Sequence, residues 1–131
     1  MAKKINLIEC PRDAMQGWPH PIPTAQKINY INELLSVGFD TLDFGSFVSP
    51  KAIPQMQDTA EVLASLDLSK TESKLLAIIA NTQGAIAASQ YQAIQYLGFP
   101  FSISENFQMR NTHKTIAESV ITLQEIIEIA D

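Results

Sequence analysis

The amino-acid sequence predicts a parallel α/β fold, four strands each followed by a helical segment, and three observations carry that expectation. β-favouring runs and amphipathic helical runs alternate four times along the 131 residues. The segments between successive strands are long enough for right-handed crossovers. No Asn-Gly or Asp-Gly pair marks a tight hairpin anywhere in the chain.

Ile5-Asn-Leu-Ile8 is a short β-favouring run, ended by Cys10-Pro11 because proline has no N–H to give a ladder. After a loop holding Pro19, Pro21 and Pro23, Thr24 can cap a helix whose Ile28, Ile31, Leu34 and Leu35 share one face, with Gly38 as its stop. Phe39 to Phe47 (FDTLDFGSF) alternates as a strand does. A Pro50 to Pro54 stretch leads to a helix with Asp58-Thr-Ala-Glu61 in capping-box spacing and Val62, Leu63 and Leu66 on its buried side. Beyond a polar link, the continuous apolar run from Lys74 to Ala80 suits a strand covered on both faces. Gly84 to Gln92 is Ala-rich and reads as a short helix, Ala93 to Ser102 as an apolar strand, and Asn106 to His113 as a polar loop. Thr115-Ile-Ala-Glu118 opens the last helix, in which Ile116, Val120, Leu123, Ile127 and Ala130 recur 4, 3, 4 and 3 residues apart.

Two topologies satisfy this order: a small open doubly wound sheet, and four consecutive βα units of a TIM-type (β/α)8 barrel. The final helix favours the second. It is still in apolar register at Ala130 and reaches Asp131 with no Gly, Asn or basic last turn to satisfy its carbonyls. A complete barrel needs about 250 residues. The expectation is therefore a half-barrel with a parallel sheet, residues 1–131 forming one unit and no second domain.

With 46% hydrophobic and 18% charged residues the chain has the material for a core. Nine Lys and Arg against 14 Asp and Glu leave a formal charge of −5, which argues against nucleic acid and anionic membrane surfaces as partners. The N-terminal apolar stretch is too short for a signal peptide, and nothing approaches a membrane span. Cys10 is alone and can form no internal disulfide, so a reducing cytoplasm is the expected compartment.

In parallel α/β sheets the reacting groups gather at the carboxyl ends of strands. There the first unit offers Arg12, Asp13 and Gln16, and the second offers Asp43 and Ser46 with Gly45 between them. The third offers Asn81, and the fourth Ser104 and Glu105 with Arg110-Asn111 beyond. Taken singly each has an ordinary structural explanation: Arg12 and Asp13 a surface ion pair worth about 0–1 kcal/mol, Asp43 a turn acid, Asn81 an Asx turn. Together they can serve an aldol-type cleavage. Asp13 and Asp43 are oxygen ligands suited to a hard cation such as Mg²⁺ or Mn²⁺, and Arg12 can neutralise a developing enolate oxygen. His20 and His113 lack the spacing of a ligand pair, Cys10 reads as a small core residue, and Trp18 as either a loop anchor or a lid.

The segments Glu9-Cys-Pro-Arg-Asp-Ala-Met-Gln16, Phe44-Gly-Ser-Phe-Val-Ser-Pro-Lys51, Ile53-Pro-Gln-Met56 and Ile103-Ser-Glu-Asn-Phe107 resemble hydroxymethylglutaryl-CoA lyase, within the metal-dependent barrel lyases. The resemblance runs over essentially the whole chain but only the N-terminal half of that barrel. It implies cleavage of 3-hydroxy-3-methylglutaryl-CoA to acetyl-CoA and acetoacetate with a divalent cation. It implies Arg12 as the arginine that steadies the enolate, Asp13 as the metal-binding aspartate with a part in proton transfer, and Asp43 as the acid after strand two. Gln16, Ser46 and Asn81 match positions that touch substrate. Asp43 stands where the family has glutamate and Ala14 where it has glycine, and the family's His-x-His, Asn ligand and Cys loop have no counterpart in these 131 residues.

Two other readings fit the same residues. One keeps the barrel and changes the substrate to that of a related acyl-CoA or 2-oxo acid aldolase or synthase. The other is a non-catalytic half-barrel that associates, as a homodimer, through exposed strand edges.

Overall fold

A computed structural model describes residues 3–131. Its four strands, β1 (Ile8–Glu9), β2 (Thr41–Ser46), β3 (Lys74–Ile78) and β4 (Ile94–Gly98), are all parallel and lie in the order β1-β2-β3-β4. An unbroken consecutive order has no point at which the winding reverses, so the doubly wound alternative is excluded and the four units are those of a barrel. No helix of the described chain is long and apolar enough to cross a membrane.

β1 starts three residues later, and ends one residue later, than Ile5-Asn-Leu-Ile8 suggests. Ile8 and Glu9 pair with Thr41 and Leu42, while the Leu7 carbonyl accepts from Asp40 N at 2.9 Å. As an edge strand it leaves Ile5, Leu7 and Ile8 exposed. β2 has a neighbour on each side, and all six of its residues are buried whatever their polarity. The apparent alternation of FDTLDFGSF therefore marks a strand but not a wet face. Leu42, Phe44, Leu75 and Ala77 join Met15, Ile31, Leu35, Met56, Val62 and Leu63 in the main core, under the helices that follow the first two strands.

Those helices are α1 (Pro11–Gln16), α2 (Thr24–Val37) and α3 (Thr59–Ala64), the last preceded by a 3₁₀ turn, Pro54–Met56. α1 occupies what the sequence suggests is a turn, and Pro11 starts it because its fixed φ and missing N–H cost nothing in a first turn. Gly38 closes α2 in the left-handed region at φ 87°, which a side chain would strain. Two expected caps do not form. Thr24 is the first helical residue of α2 and its Oγ1 donates to Asp58 Oδ2 at 2.8 Å, while Asp58 Oδ1 accepts from the Lys27 ammonium at 2.7 Å. Asp58 thus serves an ion pair between α2 and α3 in place of a capping box, because a charge partner outcompetes a local backbone N–H.

α4 (Thr82–Ser89), α5 (Glu105–Thr112) and α6 (Ile116–Ala130) complete the chain. Ile79, Ala85, Ala88 and Ile126 form a second core against Phe47, Ile94, Leu97, Phe99 and Ile129. α5 replaces the polar loop expected at Asn106 to His113. Ser104 caps it by accepting from Phe107 N, and its one buried residue is Gln108. α6 has the capping box predicted at Thr115 and Glu118, but its buried face is displaced. Ser119, Thr122 and Ile126 are buried, whereas Val120 and Ile127 are 40% and 50% exposed. The reason is polar: Gln108 Nε2 donates to Ser119 Oγ at 2.6 Å and Lys114 Nζ to Thr122 Oγ1 at 2.6 Å, fixing the helix about its axis.

Candidate active site

Asp43 is the third residue of β2, inside the strand and not at its end as the sequence suggests. The register runs Asp43 opposite Leu76 and then Gly45 opposite Ala77, so Phe44 is the extra residue of a bulge. Bulges re-aim the side chains beside them. Phe44 goes into the core, and the Asp43 carboxylate meets Arg12, which the first turn of α1 carries across from β1.

The pairing is bidentate. Arg12 Nε donates to Asp43 Oδ1 and Oδ2 at 3.1 Å each, and Nη2 donates to Oδ2 at 2.6 Å. With side chains 13% and 6% exposed, this is a partly desolvated ion pair and not a surface contact. The short Asp43 side chain therefore reaches Arg12 directly. Gln16, one helical turn after Arg12, accepts from Nη1 at 2.9 Å. Asp13 lies beside them at 3.5 Å from Nη1, its side chain 76% exposed. Burial works against the Arg12 charge, but the hydrogen bonds and charge of Asp43 outweigh it and the guanidinium pKa is raised. Loss of hydration, then the Asp43 charge, pushes the neighbouring Cys10 thiol up as well, so it stays protonated at neutral pH.

A guanidinium has five N–H groups. Two face Asp43, one faces Gln16 and one, at 3.5 Å, faces Asp13. By that count one remains for a ligand, on Nη2 of a group whose charge and orientation are fixed in advance. That is the arrangement required to hold an oxygen that becomes negative during reaction.

Ser46 and Asn81 belong to a different place, a cleft of about 320 Å³ that they share with Phe47, Met56, Thr59 and Gly84. Ser46 ends β2 fully buried, with no hydrogen-bond partner for its Oγ among the described residues. Asn81 caps α4, its Oδ1 accepting from Gly84 N at 2.8 Å. Gly84 is required there, since a Cβ would lie 2.5 Å from the Phe47 carbonyl. At the fourth unit Ser104 is a cap and Glu105 Oε2 accepts from Ile116 N at 3.2 Å, so both have structural duties. His20 and His113 are exposed and stand apart from the cluster, His113 closing α5 at φ 55°.

Asp43 spends both oxygens on Arg12, whereas the exposed Asp13 keeps oxygen lone pairs free. Asp13 thus fits one position in the oxygen shell of a hard cation and Asp43 does not. Among the described residues no three His, Cys, Asp or Glu side chains gather as a metal-holding group. Sequence reasoning assigned no role to Gln55 or Gln108, two amides each saturated with hydrogen bonds. Only the polar surroundings of Gln108, with Thr112 and Ser119 at helical distances, signalled the second.

Four consecutive parallel βα units with an ion-paired arginine on the carboxyl side of β1 define the chain as part of a (β/α)8-barrel enzyme. No family model matches it. Its sequence is 34% identical over 131 residues to the 3-hydroxy-3-isohexenylglutaryl-CoA/hydroxy-methylglutaryl-CoA lyase of Pseudomonas aeruginosa, covering 99% of this chain and 43% of that protein. A crystal structure of hydroxymethylglutaryl-CoA lyase from Pseudomonas aeruginosa superposes with a TM-score of 0.88 at 34% identity, over 98% of this chain and 42% of that one. The HMG-CoA lyase of Acinetobacter baumannii, solved in complex with coenzyme A and 3-methylmalate, gives 0.86 at 35%, over 95% and 41%. The chain belongs to the hydroxymethylglutaryl-CoA lyase family. It spans about two fifths of the length of the relatives it matches.

Proposed function

We propose that residues 1–131 are the N-terminal half of a lyase barrel that cleaves 3-hydroxy-3-methylglutaryl-CoA to acetyl-CoA and acetoacetate. The observation that carries this reading is the bidentate grip of Asp43 on Arg12, which fixes the guanidinium and leaves one Nη2 N–H to face a ligand. The coenzyme A held by the Acinetobacter baumannii lyase supports an acyl-CoA as that ligand.

In the proposed reaction a base removes the proton of the 3-hydroxyl, the C2–C3 bond breaks, and a ketone forms at C3 to give acetoacetate. The electron pair of the broken bond moves onto the thioester carbonyl as an enolate, and protonation at C2 yields acetyl-CoA. Arg12 holds the enolate oxygen with the Nη2 N–H that Asp43, Gln16 and Asp13 leave free, and Asp43 keeps the guanidinium from rotating away. Asp13 would give one oxygen to a divalent cation, Mg²⁺ or Mn²⁺, and would pass a proton. The cation supplies Lewis acidity at the substrate oxygens when bound. Ser46 and Asn81 line the next cleft and receive a more distant part of the substrate. The lone Cys10 suits action in a reducing cytoplasm.

One free carboxylate is a weak hold on a divalent ion, so residues 1–131 alone are expected to give negligible turnover with Mg²⁺ or Mn²⁺. The decisive construction joins residues 1–131 to the remainder of the Pseudomonas aeruginosa lyase in place of the matching segment. A folded chimera that releases acetoacetate supports the reading, and a folded chimera that binds the cation but does not cleave refutes it.

A further inference from the structure

We infer that Gln55 is a positioning residue for the Arg12 cluster: its amide pins the proline-rich loop 17–23 and thereby fixes the end of α1 from which Gln16 holds Arg12. Pro19, Pro21 and Pro23 have no N–H, so this loop has few donors with which to hydrogen-bond to itself. Gln55 supplies what is missing. Its Nε2 donates to the Trp18 carbonyl at 2.7 Å and to the His20 carbonyl at 2.6 Å, and its Oε1 accepts from Ile22 N at 3.4 Å. Both amide hydrogens and the amide oxygen are committed, each to backbone of the same loop.

The anchor behind this amide is rigid. The Gln55 carbonyl accepts from Lys27 Nζ, and Lys27 is paired with Asp58 at 2.7 Å, with side chains 5% and 14% exposed. On the other side, Trp18 N donates to the Met15 carbonyl at 3.1 Å, directly beside Gln16, whose Oε1 receives Arg12 Nη1. α1 has six residues, too few to hold itself without such supports. A displacement of its last turn therefore reaches Arg12 through a single hydrogen bond.

The role in catalysis rests on the lyase reading, while the mechanical coupling does not, and the test separates the two. In ¹⁵N spectra of the 131-residue protein, Gln55→Ala is expected to shift the Trp18 indole, Gln16 amide and Arg12 Nε signals while α6 backbone signals stay in place. Because Trp18 is the only tryptophan, acrylamide quenching of its fluorescence is expected to rise in parallel. Gln55→Glu keeps an acceptor and loses both donors, and is expected to do the same. Unmoved Arg12 and Gln16 signals in either variant overturn the inference, even if Trp18 is released. In the chimera described above, Gln55→Ala is expected to lower kcat by about 10- to 100-fold with KM little changed. An equal fall in folded fraction and kcat contradicts a positioning role, whereas a chimera inactive with Gln55 intact refutes the lyase reading and leaves the spectra to decide on Gln55.

Discussion

Arg12 and Asp43 are 31 residues apart in sequence and 2.6 Å apart in space. Their pairing makes a specific demand. Asp43→Asn removes the charge facing a partly desolvated guanidinium and is expected to cost about 2–4 kcal/mol in denaturant unfolding. It also acts on Cys10. The thiol's pKa lies above its ordinary value of 9.0, raised by lost hydration and then by the Asp43 charge. Since the thiolate is the reactive form, alkylation should gain speed only as pH rises through that elevated value. Asp43→Asn should move the midpoint of the alkylation rate to lower pH, and a midpoint that does not move would show that Asp43 is not charged next to the thiol. At this scale the candidate residues were legible because they follow β-favouring runs, where a parallel sheet gathers its chemistry. Their division was not. Nothing in the spacing of Asp43 and Ser46 tells that a bulge at Phe44 turns one to Arg12 and leaves the other at a separate cleft.

The elements that sequence patterning located best are those with a local cause. α2 stops at a left-handed glycine, and α6 begins with a reciprocal cap, both set by neighbours in the chain. Where tertiary contacts compete, local signals mislead. Asp58 has capping-box spacing and is spent on Lys27; Asn106 to Thr112 lacks an apolar stripe and is helical because Gln108 bonds Ser102 N, Thr112 and Ser119. Gln108→Ala would leave Ser102 N and Ser119 Oγ without their partner, and a loss of about 2–3 kcal/mol in thermal or urea unfolding is expected. The displaced face of α6 makes a paired prediction. Ile126→Ala should cost about 2–5 kcal/mol and Ile127→Ala less than about 1 kcal/mol, the reverse of what the apolar spacing alone implies.

At the scale of the molecule, the order of strands was readable because each unit repeats the same pattern and parallel crossovers have one hand. The four units meet the barrel's requirement of consecutive neighbours, and they superpose on lyase barrels with TM-scores of 0.86 and 0.88. The two acids were not told apart by the sequence: Asp43 is buried on Arg12 while Asp13 stays 76% exposed, and residues of the same type are distinguished only by which one the guanidinium grips.

The most direct test of the account is the rate of acetoacetate release by the chimera with and without Arg12→Gln, measured on folded protein saturated with Mg²⁺ or Mn²⁺. A guanidinium that holds the developing enolate predicts a loss of about 10²- to 10³-fold on substitution. Equal rates in the two proteins would contradict the role assigned to Arg12 and, with it, the reading of the site.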